Sequence, residues 1–263
     1  MLRFEEHDLL TTAPAGFRRP AGNYGLYETR PVYGYDDCLP TVDPCSYPRG
    51  ARFEIADHGE LCWLPWRVAA NDNELKFSVC SRQLPIAFRR TMVFGDRDID
   101  WRFEIENTGD TTVVCQHVMH PMMPRGHVCG LALPSFSSAY DEMRGRDSDW
   151  RSPQSLGDHL LASTHGCAEM LLLRGIDEGR FEIEFTYGLT LLVDFPVELF
   201  ATLGIWWNHG GYPDEDGCRR IECAIEPIPG TSSCLEVTHK DGVHLTVEPH
   251  DWLRWSVHWE VRS

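Results

Sequence analysis

Apolar and polar residues alternate along most of this chain with a period of two. Leu75, Phe77 and Val79 share one side of Glu74–Val79, and Glu74, Lys76 and Ser78 share the other. Trp101, Phe103 and Ile105 alternate with Arg102, Glu104 and Glu106, and Phe181, Ile183 and Phe185 alternate with Glu182 and Glu184. Near the C-terminus, Trp255, Val257, Trp259 and Val261 alternate with Arg254, Ser256, His258 and Glu260. Successive side chains of a strand point to opposite faces, so this pattern predicts antiparallel sheets with one face buried and one wet. Turn signals separate the runs at Asn107-Thr108-Gly109-Asp110, Asp177-Glu178-Gly179 and Lys240-Asp241-Gly242. The only helical stretch predicted is a short one around Ser155–Ser163, and Asp141–Ser163 is expected to be the most irregular and mobile part. No linker, low-complexity tract or repeat divides the chain, so residues 1–263 read as one large all-β antiparallel sandwich.

The same alternation singles out Cys223–Gly230. Ile221, Cys223 and Ile225 point one way, and Glu222, Ala224 and Glu226 the other. Pro227 is expected to stop the ladder directly after Glu226, leaving that carboxylate at a strand end. The segment Gly204–Pro213 just upstream holds Trp206, Trp207 and Asn208. Neighbours in a strand face opposite ways, so at most one of the two tryptophans lines a site. A carboxylate fixed beside an aromatic platform suits acid–base chemistry on a sugar; a solvated edge glutamate is the plainer reading. A second strand, Thr111–Met119, delivers His120-Pro121-Met122-Met123. Histidine titrates closest to neutrality of all side chains, which makes His120 a natural proton donor or acceptor. His117 lies three residues earlier, so parity sends it to the opposite face in a structural role, and a His-x-x-His metal site is not expected. Asp57-His58-Gly59 precedes Trp66, and Gly34–Val42, which contains Asp37, is bounded by Gly and Pro like a loop lining a site.

Composition narrows the partners. The net charge of -16 argues against nucleic acid or an anionic membrane surface. No apolar run approaches the roughly 18 residues a membrane span needs. The first residues lack the pattern of a signal peptide, and the 10 cysteines contain no Cys-x-x-Cys pair. A cytoplasmic protein with reduced thiols, no structural zinc and no cofactor is therefore expected.

Taken in order, these segments resemble the aldose 1-epimerase (galactose mutarotase-like) family. Gly34–Val42 looks like its glycine-to-proline loop, and Asp57-His58-Gly59 with Trp66 resembles its His-Gly and Trp element. Asn107-Thr108-Gly109 followed by His120-Pro121 resembles its Asn-x-Gly and His-Pro element, with Met122-Met123 where the family carries an aromatic pair. Trp206 leading to Glu226-Pro227 resembles its terminal element, and Leu245–Val261 its closing strand. The resemblance runs from near residue 20 to the C-terminus. It implies a galactose mutarotase-like supersandwich and an isomerase of carbohydrate metabolism that interconverts the anomers of a free aldose by ring opening, acting as a monomer or homodimer. Glu226 would be the base and His120 the acid, on opposite sides of the ring. His58, Trp206, Asn208 and Asp37 would bind the substrate. Relatives acting on hexose 6-phosphates carry an arginine after the His-Gly element, where this chain has Glu60-Leu61-Cys62, so a neutral sugar is expected unless Arg67 or Arg90 reaches the pocket. A non-catalytic carbohydrate-binding protein, or a glycoside hydrolase or lyase using Asp57 with Glu226, are the alternative readings.

Overall fold

The computed structural model describes residues 2–13, 24–30, 32–50, 52–212 and 219–263. Pro213, which ends a segment named above, and Cys218, one of the 10 cysteines, lie outside the described residues. Two antiparallel sheets dominate. The larger has eight strands in the order Val128–Ala132, Arg180–Phe185, Thr190–Asp194, Trp252–Arg262, Asp98–Asn107, Ile86–Phe94, Glu74–Cys80 and Arg67–Ala70. The smaller has five: Arg146–Ser148, Ser138–Asp141, Cys167–Arg174, Thr202–His209 and Ile221–Ile228.

The alternation read from the sequence decides which face of each sheet is buried. Trp101, Phe103, Ile105, Phe181, Ile183 and Phe185 join Trp255, Val257, Trp259 and Val261 in one core, packed with Leu171, Leu173, Leu203, Ile205, Trp207 and Ile225 of the smaller sheet. Each such side chain contributes about 1.5–3 kcal/mol by leaving water. The Asn107 side chain builds the predicted turn: Oδ1 accepts from Gly109 N at 3.0 Å, and Nδ2 donates to Thr111 O and Val247 O at 2.8 and 3.0 Å.

Several boundaries differ from the sequence reading. Lys240-Asp241-Gly242 is the end of a second helix, Leu235–Asp241, closed by Gly242 at φ 74°. A glycine suited to a turn suits a helix C-terminus equally well, because both need the left-handed region. The segment expected to be irregular holds a short strand, Arg146–Ser148, and the helix Pro153–Leu161, whose first turn is capped by Ser152 Oγ accepting from Ser155 N. Leu245–Val261 is two strands rather than one, Leu245–Val247 and Trp252–Arg262. Among the described residues, no helix is long and apolar enough to cross a membrane.

Candidate active site

The smaller sheet turns its odd-numbered central residues into the core and its even-numbered ones toward a cavity of about 150 Å³. Met170, Trp206 and Ala224 lie side by side across three strands, and Gly204 is the neighbour of Glu226. Pro227 does not end its strand; it pairs in register with Leu203, and the strand runs to Ile228. The reason lies in hydrogen-bond direction. Cys223 exchanges both backbone bonds with Met123, so odd-numbered residues of this edge strand point their N–H away from Thr202–His209. A proline at position 227 thus removes no bond from that ladder. Glu226 is nonetheless 1% exposed, which excludes a solvated edge glutamate.

His120 arrives from a different ribbon. Thr111–Met119 is not one strand: Val113–Cys115 pairs with Leu245–Val247, and Val118–Pro121 pairs with Tyr35–Cys38, so the Gly34–Val42 loop contains a strand. The Val118–Pro121 strand lies against Ile221–Ile228, and His120 Nδ1 hydrogen-bonds directly to Glu226 Oε1. His120 and Glu226 therefore stand side by side, where the sequence reading expected them on opposite sides of a ring. Burial works against protonated His120, but the touching Glu226 carboxylate, with Asp36 and Glu222 beyond it, raises its pKa above the ordinary value. His117 sits in the break between the two strands, where Nε2 meets Asp37 Oδ1 at 3.0 Å among Phe88, Phe103 and Trp255. His117 is thus placed in the core by that break and not by strand parity. His120→Asn is expected to remove the rate enhancement in anomer exchange, while His117→Asn lowers the unfolding midpoint and spares turnover. Equal losses of turnover in two folded variants would contradict this division.

His58 forms a third wall. Its backbone sits at φ 58°, and its N–H donates to Val42 O at 2.6 Å. Gly59 follows at φ 72° against the Leu39 backbone, where an added Cβ would fall 2.1 Å from Leu39 O. The glycine of Asp57-His58-Gly59 is thus required by close backbone approach as well as by its φ. Asp57 Oδ1 holds His58 Nδ1 at 2.8 Å, Tyr27 stacks on the His58 ring with centroids 3.6 Å apart, and His120 meets it edge-on at 5.0 Å. Tyr27 is fixed in turn by donating to Asp36 Oδ2 at 2.9 Å, and Arg30 grips both Asp36 oxygens at 2.5 and 3.0 Å.

Trp206 lines the cavity while Trp207 is buried in the core, its Nε1 donating to Leu160 O at 2.7 Å. Two expected substrate contacts are elsewhere. Asp37 is fully enclosed by Arg90, His117 and Tyr35, and Asn208 Oδ1 accepts from Gly211 N and Tyr212 N at 3.0 and 3.1 Å to shape a turn. Neither lines the cavity: Asp37 and Asn208 serve charge and backbone demands of their own, which residue type alone does not reveal. Arg90 is committed to Asp37 and the rings around it, and Arg67 is exposed on an edge strand, so neither reaches the cavity. Glu60 turns away to accept from Ser81 Oγ and Arg82 N.

The cavity's own cation is Arg220, which the sequence reading missed. Its NH2 group meets Glu28 Oε2 and its NH1 group Glu222 Oε1, both at 3.0 Å. Burial lifts the Glu222 carboxyl to about 7 against the opposing pull of Arg220. Glu142, also missed, accepts from Ser233 N at 3.2 Å and Ser233 Oγ at 2.7 Å, and burial raises its pKa despite those bonds. Glu222 was legible by parity with Glu226; Glu28 and Glu142 carry no local signal. Among the described residues, no group of three or more His, Cys, Asp or Glu is placed to hold a metal ion.

No protein-family model matches this sequence, and no curated protein does. The fold, however, is found in solved structures. A provisionally named aldose 1-epimerase from Escherichia coli K12 superposes with a TM-score of 0.68 at 14% identity, covering 88% of this chain and 84% of that one. A galactose mutarotase-like protein from Clostridium acetobutylicum gives 0.65 at 13% identity, over 97% and 86% of the two chains. A galactose mutarotase related enzyme from Lactobacillus acidophilus gives 0.61 at 16%, over 87% and 83%. The chain has the galactose mutarotase-like fold, as the sequence motifs implied.

Proposed function

We propose that this protein is an aldose 1-epimerase-type isomerase, with Glu226 as general base and His120 as general acid. The observation that carries the reading is the direct His120–Glu226 contact at the base of a cavity bordered by Trp206, Tyr27 and His58. The anomeric hydroxyl and the ring oxygen of an aldose are bonded to the same carbon, so an adjacent acid and base serve them together. Glu226 takes the hydroxyl proton while His120 protonates the ring oxygen, and the ring opens to the aldehyde. Rotation about the bond to the neighbouring carbon presents the other carbonyl face. Closure reverses both transfers and restores both groups, so no metal, cofactor or covalent intermediate enters the balance. Each proton transfer of this kind is worth about 10²–10⁴-fold. His58, held by Asp57, orients a hydroxyl, and Trp206 covers an apolar sugar face.

The substrate is a neutral aldose. Glu28, Asp43, Glu142 and Glu226 line the cavity, and its guanidinium, Arg220, is already shared between two carboxylates. A dianionic phosphate needs unshared charge-assisted donors. In exchange NMR at equal ionic strength, glucose or galactose is expected to equilibrate faster with the protein than the matching 6-phosphate does. A preference for the phosphate that is lost in Arg220→Ala would overturn this substrate class. No acceleration of any free aldose would overturn the isomerase itself.

A further inference from the structure

Cys45 and the residue that follows Cys234 are far apart in sequence yet bond to the same hydroxyl. Thr41 Oγ1 accepts from Leu235 N at 3.0 Å and from Cys45 Sγ at 3.8 Å, and it bonds to Asp43 O at 2.8 Å and Ser233 O at 3.3 Å. Val42 N and Asp43 N both donate to Ser233 O, at 3.1 and 2.9 Å. These bonds lay the Thr41–Cys45 segment along Ser233–Leu235, and Cys234 packs against the same core cluster that contains Cys45. Both cysteines are free; Cys45 is buried and Cys234 partly exposed. Val42, Asp43 and Ser233 line the cavity, and Ser233 also holds Glu142, so the thiols lie directly behind its wall.

We propose that Cys45 and Cys234 are a redox-active pair that closes to a disulfide by exchange with a low-molecular-weight disulfide, stapling the two segments behind the cavity. The exposed partner reacts first. The Cys234 thiolate attacks one sulfur of the small disulfide, forming a mixed disulfide and releasing one small thiolate. The Cys45 thiolate then attacks the Cys234 sulfur and expels the second small thiolate. The two protons shed by the cysteines are taken up by the two released thiolates, and the two electrons leave with them. Burial pushes the Cys45 thiol up to about 11, which disfavours it as the first nucleophile; in the second step the attack is intramolecular, and proximity offsets its small thiolate fraction. The reduced pair is the resting form in a reducing compartment, where protein disulfides are transient and sensory.

The test incubates the full-length reduced protein with oxidised glutathione, blocks remaining thiols with iodoacetamide, and maps peptides without reduction. The expected product links the Cys45 and Cys234 peptides. It should also raise the thermal midpoint, because the bond closes a long loop of the unfolded chain, and dithiothreitol should reverse the rise. In Cys45→Ser, Cys234 should stop at the glutathione adduct, with no cross-link and no rise in midpoint. The proposal is overturned if both thiols stay reduced at the most oxidising glutathione ratio, if either links to a different cysteine, or if Cys45→Ser responds like the unsubstituted protein. Mass and melting are read without reference to sugar turnover, so failure here is separate from failure of the proposed isomerase.

Discussion

Glu226→Gln is expected to slow anomer exchange by at least about a hundredfold while leaving sugar affinity close to its starting value. Glutamine keeps the shape and one hydrogen-bonding oxygen toward His120 but cannot take a proton, so the loss falls on the chemical step. Glu226 is fully buried and touches His120, so the change is read a second way. The carboxylate is the main influence raising the His120 pKa against burial. Without it, the His120 resonances should titrate at lower pH, and the protonated acid should disappear earlier as pH rises. The check combines exchange NMR for rate, a binding isotherm for affinity and a pH titration of the imidazole. A Gln variant that equilibrates anomers at the original rate removes Glu226 from the role of base.

Asp37→Ala is expected to destabilise the fold by about 3–5 kcal/mol, the cost of stranding a buried charge. Asp37 receives hydrogen bonds from Arg90, His117 and Tyr35, and Arg90, largely shielded from water, is packed among Tyr35, Trp66 and Phe77. Burial alone would raise the Asp37 pKa, but the Arg90 guanidinium, with His117 and Tyr35, holds it below the usual carboxylate range. The sign of the pH effect follows. A depressed folded-state pKa contributes stability that is present above the unfolded value, about 3.9, and is lost as pH falls through the folded value. Denaturant unfolding from neutrality into acid should therefore show the original chain losing stability below about pH 4, with a smaller loss over that range in the Ala variant. A variant as stable as the original at neutral pH would place Asp37 outside the core network and reopen a ligand role for it.

The strands were the legible part of this molecule, because Trp255 to Val261 or Phe181 to Phe185 bury every second residue and the period survives any tertiary context. The pairing of His120 with Glu226 was legible only as two strand-borne residues of suitable chemistry; their contact depends on two ribbons meeting edge to edge, which no local pattern encodes. Asp37 and Asn208 looked like hydroxyl partners because polar residues near a site-like segment invite that reading. One neutralises a buried arginine and the other satisfies backbone N–H groups, demands that appear only once the chain is folded. Arg220 was missed for the complementary reason. A charged residue at the start of a strand reads as exposed, yet Arg220 is 4% exposed and held by carboxylates from two segments.

The smaller sheet separates two kinds of information along each of its central strands. Ile205, Trp207, Cys223 and Ile225 answer to the core, whereas Met170, Trp206 and Glu226, on the opposite face, answer to the cavity. Selection for a folded chain and selection for a ligand therefore act on interleaved letters of the same words. A lineage could rewrite the even-numbered positions and adopt a new ligand without disturbing the odd-numbered ones. Sequence identity across such a lineage would fall quickly while the backbone stayed superposable, a divergence of the kind seen between this chain and its structural neighbours, at 13–16% identity with TM-scores above 0.6.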